Sequence, residues 1–216
     1  MTEETPLEQV YLTPTPVRTW HWLNALGIVT LCVTGIQVRF PEYANIFGTY
    51  KAAIRLHDIA GITVSISFLL WIFYYLVVAR NIAKVYVPTF DDIKSGLFQQ
   101  AFFYFFNYFF GKENPHTATP DNKFNAIQKI TYFMTMFLLI PLVIISGLLL
   151  MNIAPLRAWI IAIGGIKFLV DAHYLLACSF FAFLCVHVYM ATLGHTPFAH
   201  FRQMWTGWEK TEHHHG

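Results

Sequence analysis

Residues 172–201 read AHYLLACSFFAFLCVHVYMATLGHTPFAHF and contain no Asp, Glu, Lys or Arg. This stretch is longer than the roughly 20 apolar residues that a helix needs to cross a bilayer. His173 and His187 lie fourteen residues apart in it, which is nearly four helical turns, so both side chains leave one helix face about 21 Å apart along the axis. One helix therefore presents an imidazole near each side of a membrane.

The composition of the whole chain has the same character. Of its 216 residues, 56% are hydrophobic and 12% are charged, whereas about 25% are charged in an ordinary soluble domain. The chain is therefore expected to be an integral membrane protein. Its net charge of +2 is too small to suggest a nucleic-acid partner. Cys32, Cys178 and Cys185 fall in apolar stretches without a C-x-x-C spacing, which argues against iron–sulfur ligation.

Charge-free windows predict four transmembrane helices, because backbone polar groups cannot stay unpaired in lipid. The expected bounds are 16–38, 53–80, 125–151 and 167–196 within a helical domain at 16–201. Residues 1–15 are expected to form an extramembrane lead. Residues 202–216 are expected to form a cytoplasmic tail, whose final His213–Gly216 is either native or a tag remnant. An aromatic run at 95–111 is expected at the interface; a fifth span is the alternative, which Gln99, Gln100 and Asn107 disfavour.

Lys and Arg give the orientation. Nine of the 14 basic residues fall on the side that holds both chain ends and the loop between spans two and three, and five fall on the other side. The positive-inside rule then places both termini in the cytoplasm.

Four histidines sort into two pairs by depth. His21 opens span one and His57 opens span two, and these helices run in opposite directions. His57 therefore shares the outer depth with His173, and His21 shares the inner depth with His187. Each pair joins two different helices, as two axial ligands of one haem must. Two axial imidazoles fill both open positions of the iron and favour electron transfer over oxygen chemistry. The prediction is an all-α, four-helix bundle that encloses two b-type haems.

Other interpretations of the histidines remain open. A single intramembrane histidine can bond a neighbouring helix or line a polar cavity. Bare zinc or copper would need further Cys, His or carboxylate ligands beside each pair, and the nearby acids are Asp58 and Asp171.

Small and cationic residues near the histidines are further candidates. Gly35 shares the face of His21 at the other depth, and Gly61 lies one turn from His57. Either could admit a flat macrocycle, although small residues also serve ordinary helix packing. Arg18, Arg55 and Lys51 are candidate partners of haem propionates. The alternative is that these charges set topology and snorkel to the interface.

Several short motifs occur in a characteristic order and spacing. They are Arg18–Trp22 (RTWHW), His57–Gly61 (HDIAG), Lys123–Lys129 (KFNAIQK), His187–Thr192 (HVYMAT), Gly194–Pro197 (GHTP) and Thr206–Glu209 (TGWE). With these motifs and His173, the chain resembles the dihaem cytochrome b subunits that anchor nickel–iron hydrogenases, respiratory formate dehydrogenases and thiosulfate-reductase-like enzymes. The resemblance covers nearly the whole chain after the N-terminal lead. It implies a bacterial inner-membrane protein whose outer haem is held by His57 and His173, and whose inner haem is held by His21 and His187.

The resemblance also implies a quinone pocket beside the inner haem. Asn125 and Gln128 match positions that line it and are candidates to contact a quinone carbonyl. Ile127 departs from the glycine found there in formate-dehydrogenase relatives. His195 is a candidate for proton delivery at the cytoplasmic edge, and the alternative is a solvated histidine at a helix end.

These observations lead to one functional expectation. The chain is expected to anchor a respiratory oxidoreductase and to carry electrons between a periplasmic-side partner and membrane quinone near the cytoplasmic side. That partner would be an iron–sulfur or multihaem subunit. One alternative is a stand-alone cytochrome b quinol oxidoreductase. The other is a haem-free transporter or assembly protein that uses its histidines as proton relays.

Overall fold

The computed structural model describes residues 7–119, 122–193, 196 and 198–212. In chain order the elements are β1 (Leu7–Tyr11), α1 (Thr15–Arg39), α2 (Tyr50–Phe73), α3 (Ile82–Tyr86), α4 (Leu97–Phe105), α5 (Ala126–Met134), α6 (Ile140–Met151), α7 (Arg157–Ala162), α8 (Gly165–Ala191), α9 (Ala199–Thr206) and β2 (Trp208–Glu212). Single π-helical turns follow α2 (Tyr74–Val78), precede α4 (Asp92–Gly96) and join α5 to α6 (Thr135–Leu139). A 3-10 turn, Asn107–Phe110, follows α4.

Four helices in the described part of the chain are long and apolar enough to cross a membrane. They are Thr15–Arg39, Tyr50–Val78, Ala126–Met151 and Gly165–Ala191. Their number and order agree with the four predicted spans. The last one ends at Ala191 rather than at 196, because the next two backbone N–H groups bond carbonyls three residues back. Thr192 N bonds Tyr189 O, and Leu193 N bonds Met190 O.

Local sequence explains two of the helix boundaries. The second span begins at Tyr50 rather than at 53, because the Thr49 hydroxyl accepts a hydrogen bond from Ala52 N at 3.1 Å and caps the helix. In the third span, the π-helical turn ends two residues before Pro141. Proline has no N–H to donate to the preceding turn, and a widened turn is a common way to accommodate such a break in the hydrogen-bond ladder.

The aromatic segment is a short helix. Helix α4 has nine residues, less than half the roughly 20 that a span requires, so the structure does not support a fifth span. Phe103 is buried, whereas Phe98, Phe102 and Phe105 are exposed. This one-sided burial suits an interfacial helix.

A two-stranded sheet corrects the expectation of an all-α chain. Strand β1 pairs antiparallel with β2, from Leu7 opposite Glu212 to Tyr11 opposite Trp208. Gly207, at φ +88°, ends α9 and turns the chain into β2, and a Cβ there would lie 2.5 Å from Tyr11 Cε2. Neither strand was predicted, because each is only five residues long and lies in a polar end of the sequence.

The chain divides into two compact units. The helical unit comprises Thr19–Tyr74 and Phe137–Val186, and the mixed unit comprises the described parts of Met1–Arg18, Tyr75–Met136 and His187–Gly216. In the helical unit, α2 packs on α6. In the mixed unit, α5 packs on α3 and α4, and the sheet joins the two ends of the chain.

Candidate haem site

Two of the predicted histidines come together in the helical unit. The ring centroids of His57 and His173 lie 6.3 Å apart, with the ring planes at 78°. A metal–imidazole bond is about 2.0 Å long, so two imidazoles on opposite sides of one metal ion have centroids about 6 Å apart. The observed spacing therefore fits two axial ligands of one iron.

Hydroxyl groups on two other helices hold these rings. His57 Nδ1 lies 2.9 Å from Thr34 Oγ1 on α1. His173 Nδ1 lies 2.8 Å from Ser146 Oγ on α6. Both hydroxyl residues are buried. On both rings, Nε2 is the nitrogen that remains for a metal.

Glycines lie against the same two rings. A Cβ at Gly35 would lie 3.5 Å from His57 Cε1, and a Cβ at Gly147 would lie 3.4 Å from His173 Cε1. Gly35 was predicted beside a haem and Gly147 was not, although it is the residue after Ser146. A Cβ at Gly61 would face Leu31 Cδ2 at 3.9 Å, so the structure places Gly61 at a helix–helix contact. Its haem role stays a prediction.

The donor set suits haem. Imidazole pairs are standard axial ligands of b-type cytochromes, whereas zinc takes four ligands. Among the described residues, no group of three or more His, Cys, Asp or Glu side chains converges on one point.

His21 and His187 fall in different units. His21 lies on α1 in the helical unit and is half-buried. His187 lies on α8 in the mixed unit, with its ring centroid 6.2 Å from that of Tyr132. Their pairing stays a prediction, as does the second haem.

The candidate propionate partners have different surroundings. Arg18 Nη2 donates to Thr15 Oγ1 at 2.8 Å, and Arg18 Nη1 donates to the carbonyl of Trp205. Arg55 and Lys51 are exposed in the first turns of α2. Propionate binding stays a prediction for all three.

Asn125 and Gln128 form the N-terminal cap of α5. Asn125 Oδ1 accepts from Gln128 N at 2.9 Å, and Gln128 Oε1 accepts from Asn125 N at 3.1 Å. This reciprocal capping box satisfies two helix-end donors. Asn125 Nδ2 also donates to Tyr104 Oη at 3.2 Å. Quinone contact stays a prediction for both residues, and His195 lies outside the described residues.

The mixed unit has a polar interior that the sequence did not reveal. Buried Thr13 accepts hydrogen bonds from Lys123 Nζ at 2.7 Å and from Gln203 Nε2 at 3.2 Å. Burial lowers the pKa of Lys123 to about 8. A second buried amine, Lys129, pairs with Asp92 at 3.3 Å. Lysines are rarely buried unless they are paired. The KFNAIQK motif therefore did not indicate that Lys123 and Lys129 would be buried.

A smaller hydrogen-bonded group lies beside Asn125. Gln100 Nε2 donates to Asn114 Oδ1 at 3.1 Å, and His116 N donates to the same oxygen at 3.0 Å. Burial lowers the pKa of His116 and raises the pKa of Tyr104. His116 is therefore favoured in its neutral form at neutral pH.

The four apolar helices and the paired imidazoles define a membrane protein of the haem-binding, electron-transport class. A family model described as prokaryotic cytochrome b561 matches residues 12–207. The chain belongs to the prokaryotic cytochrome b561 family, which implies that its haem is b-type.

Individual relatives agree with this family. A protein of Escherichia coli (strain K12), named as the cytochrome YdhU, is 29% identical over 94% of this chain and 76% of its own length. The cytochrome b556 subunit of a formate dehydrogenase from Haemophilus influenzae is 24% identical over 82% of this chain and 68% of its own length. A protein of Rhodobacter capsulatus, named as a Ni/Fe-hydrogenase B-type cytochrome subunit, is 35% identical over 38% of this chain and 34% of its own length.

Proposed function

We propose that this chain is the dihaem cytochrome b subunit of a respiratory oxidoreductase of the bacterial inner membrane. It carries electrons between a redox partner on the periplasmic side and the quinone pool near the cytoplasmic side. The partner is an iron–sulfur or multihaem subunit of a larger oxidoreductase. A redox-enzyme partner is supported by the names of two relatives, which are cytochrome subunits of a hydrogenase and of a formate dehydrogenase. The observation that carries the proposal is the 6.3 Å spacing of the His57 and His173 rings.

The residues have separate tasks in this proposal. His57 and His173 hold one haem, and His21 and His187 hold the other. Gly35 and Gly61 leave room for the macrocycles, and Arg18 and Arg55 face propionates. Asn125 and Gln128 contact the quinone. The haem irons supply one-electron transfer when bound, and axial imidazoles keep oxygen from them.

Three features support the arrangement in the membrane. Helix α8 carries both His173 and His187, so a single helix can contribute a ligand to each haem. The pairing of β1 with β2 brings the two ends of the described chain together, which fits an even number of spans and both termini on one side. The excess of Lys and Arg on that side favours the cytoplasm.

Haem stoichiometry of single and double variants tests the ligand sets. We expect a pyridine haemochrome assay to give two haems per purified chain. His57→Ala and His173→Ala should each remove one haem, and the double variant should still retain one, because both residues hold the same haem. His57→Ala combined with His187→Ala should remove both. His116→Ala is the matched control, since this half-buried histidine belongs to neither pair.

The outcomes separate the alternatives. Absence of haem from the wild-type chain would overturn the proposal in favour of a haem-free transporter or assembly protein. Retention of both haems after His173→Ala would overturn the ligand assignment. Copurification of a periplasmic-side redox subunit supports the anchoring role, whereas a monodisperse chain that oxidises quinol alone would favour a stand-alone cytochrome. Reporter fusions at both ends test the orientation.

A further inference from the structure

A hydroxyl–glycine dipeptide occurs twice around the His57–His173 pair. Thr34-Gly35 on α1 faces His57, and Ser146-Gly147 on α6 faces His173. In each case the hydroxyl meets Nδ1 of the ring and the glycine lies beside Cε1. The same two ring atoms are therefore approached in the same way from two different helices.

Counting protons assigns the direction of both hydrogen bonds. Thr34 Oγ1 lies 2.7 Å from the carbonyl of Thr30, and Ser146 Oγ lies 2.8 Å from the carbonyl of Leu142. A backbone carbonyl can only accept, and a hydroxyl has a single proton to donate. That proton is used on the carbonyl, so the hydroxyl oxygen must accept the proton of the imidazole Nδ1. Both histidines then carry hydrogen on Nδ1 and a lone pair on Nε2.

We propose that Thr34 and Ser146 are positioning residues that fix His57 and His173 in the tautomer that binds iron through Nε2. This inference rests on the proposed function, because it assumes that the two histidines share a haem. The partner of a metal-bound imidazole orients the ring and sets its basicity. A neutral hydroxyl that already donates elsewhere is a weak acceptor compared with a carboxylate, so both ligands stay neutral imidazoles with little imidazolate character.

The glycines make this contact possible. The distances of 3.5 and 3.4 Å from an added Cβ to the two Cε1 atoms already equal van der Waals contact with the ring edge. A larger side chain at either position would push the ring away from the neighbouring hydroxyl. The hydroxyl and the glycine therefore act together, and neither was recognisable in the sequence as a partner of a histidine on another helix.

Redox titration of the haem-loaded chain tests the proposal. Ser146→Ala removes the hydroxyl acceptor of His173, and Thr34→Val removes one of two acceptors of His57, because the carbonyl of Leu31 also bonds that ring. Each change makes the imidazole a poorer electron donor and favours ferrous iron. For the affected haem we expect the ratio of reduced to oxidised form at a fixed potential to rise by up to about tenfold, which equals about 59 mV for a one-electron couple. Ser146→Asp should shift the ratio in the opposite direction. The other haem should not change.

Two controls make the same local change away from the rings. Ser179 on α8 donates to Leu175 O at 2.9 Å, and Thr63 on α2 donates to Ile59 O at 2.8 Å. Ser179→Ala and Thr63→Val remove the same kind of hydroxyl bond and should leave both potentials unchanged. Ser146→Thr and Thr34→Ser keep the acceptor and should restore wild-type potentials and electron paramagnetic resonance spectra.

Each result decides the matter. If Ser146→Ala and Thr34→Val match the controls in potential and spectrum, the inference is wrong, even when haem stoichiometry supports the function. If a variant loses one haem, return of that haem in Ser146→Thr or Thr34→Ser supports the inference, and failure to return overturns it. Loss of the proposed function itself would be visible earlier, in the haem content of the wild-type chain.

Discussion

Among the described residues, the helical unit and the mixed unit differ in whether they bury charged side chains. The polar residues buried in the described part of the helical unit are uncharged, namely Asn24, Thr34, Gln37, Ser67 and Ser146. The mixed unit buries Lys129 beside Asp92 and largely buries Lys123. A charge inside a bilayer is costly. Hydroxyl groups cost much less free energy there, because Thr34 and Ser146 donate their protons to backbone carbonyls of their own helices.

The two units should therefore tolerate different substitutions and conditions. The histidine site depends on close approach of helices and on neutral hydrogen bonds, so it should respond to side-chain volume and hardly to pH. The mixed unit depends on buried ionisable groups, so its stability should respond to pH. Three measurements test this contrast.

Volume at the contact between α1 and α2 should have a large effect. A Cβ at Gly27 would lie 2.6 Å from Val64 Cγ2, whereas a Cβ at Gly61 would lie 3.9 Å from Leu31 Cδ2. Overpacking of this kind costs about 2 kcal/mol, so Gly27→Ala should lower the free energy of unfolding by about that amount. The measurement is denaturation by sodium dodecyl sulfate from mixed micelles.

Gly61→Ala is the matched control on the same two helices and should be tolerated. Val64→Ala should recover part of the stability of Gly27→Ala, because it removes the clashing methyl group. Equal destabilisation by Gly27→Ala and Gly61→Ala would contradict the predicted difference in space. Loss of haem in Gly61→Ala, with stability unchanged, would favour the predicted haem role of that glycine.

The mixed unit should gain stability as pH rises from about 8. Burial lowers the pKa of Lys123 from 10.5 to about 8. Between these values the unfolded chain binds more protons at this site than the folded chain, so folding becomes more favourable with rising pH by at most about 1.4 kcal/mol per pH unit. The penalty is fully present below about pH 8 and is gone above 10.5.

Lys123→Met isolates this effect. Thr13 keeps a donor in this variant, because Gln203 Nε2 also bonds its hydroxyl. The unfolding midpoint of wild type should rise relative to that of Lys123→Met as pH rises from 8 to 10.5. Lys112→Met, at an exposed position, provides the comparison. A difference that stays constant over this range would show that Lys123 is solvated.

Sequence reasoning predicted the parts that the bilayer dictates. Charge-free windows located all four long helices, because lipid requires apolar surface over a fixed length. The depth argument assigned His57 and His173 to the same height, because helices of fixed rise convert sequence spacing into height. Their ring centroids lie 6.3 Å apart, and their role as ligands of one haem stays a prediction. The Thr49 cap and Pro141 were also visible signals, which could have sharpened the helix boundaries.

Contacts that depend on the rotation of one helix relative to its neighbour could not be predicted from the sequence. Thr34 and Ser146 look like ordinary small polar residues of apolar helices, because nothing local gives the rotation that turns them to a histidine. The contacts of Gly27 and Gly147 with neighbouring helices could not be predicted for the same reason. The strands β1 and β2 pair across nearly the whole chain, and a contact of such separation leaves no short-range pattern.

Substitution of Asn125, the N-cap of α5, should have the smallest effect on stability. It also separates two possible roles of this residue. Asn125→Ala should cost about 1 kcal/mol, the usual loss when a capping side chain is removed. Asn125→Ser should keep the cap, because serine is a good N-cap residue, while losing the amide group. Asn125→Ser also loses the hydrogen bond from Asn125 Nδ2 to Tyr104 Oη, so its unfolding midpoint should lie between those of wild type and Asn125→Ala. If the amide does not contact quinone, Asn125→Ser should match wild type in the rate at which quinol reduces the haem. If the amide contacts quinone, the serine variant should need more quinol for the same rate. Equal stability of the alanine variant and wild type would contradict the capping role, because the Gln128 N–H would then have lost its acceptor at no cost.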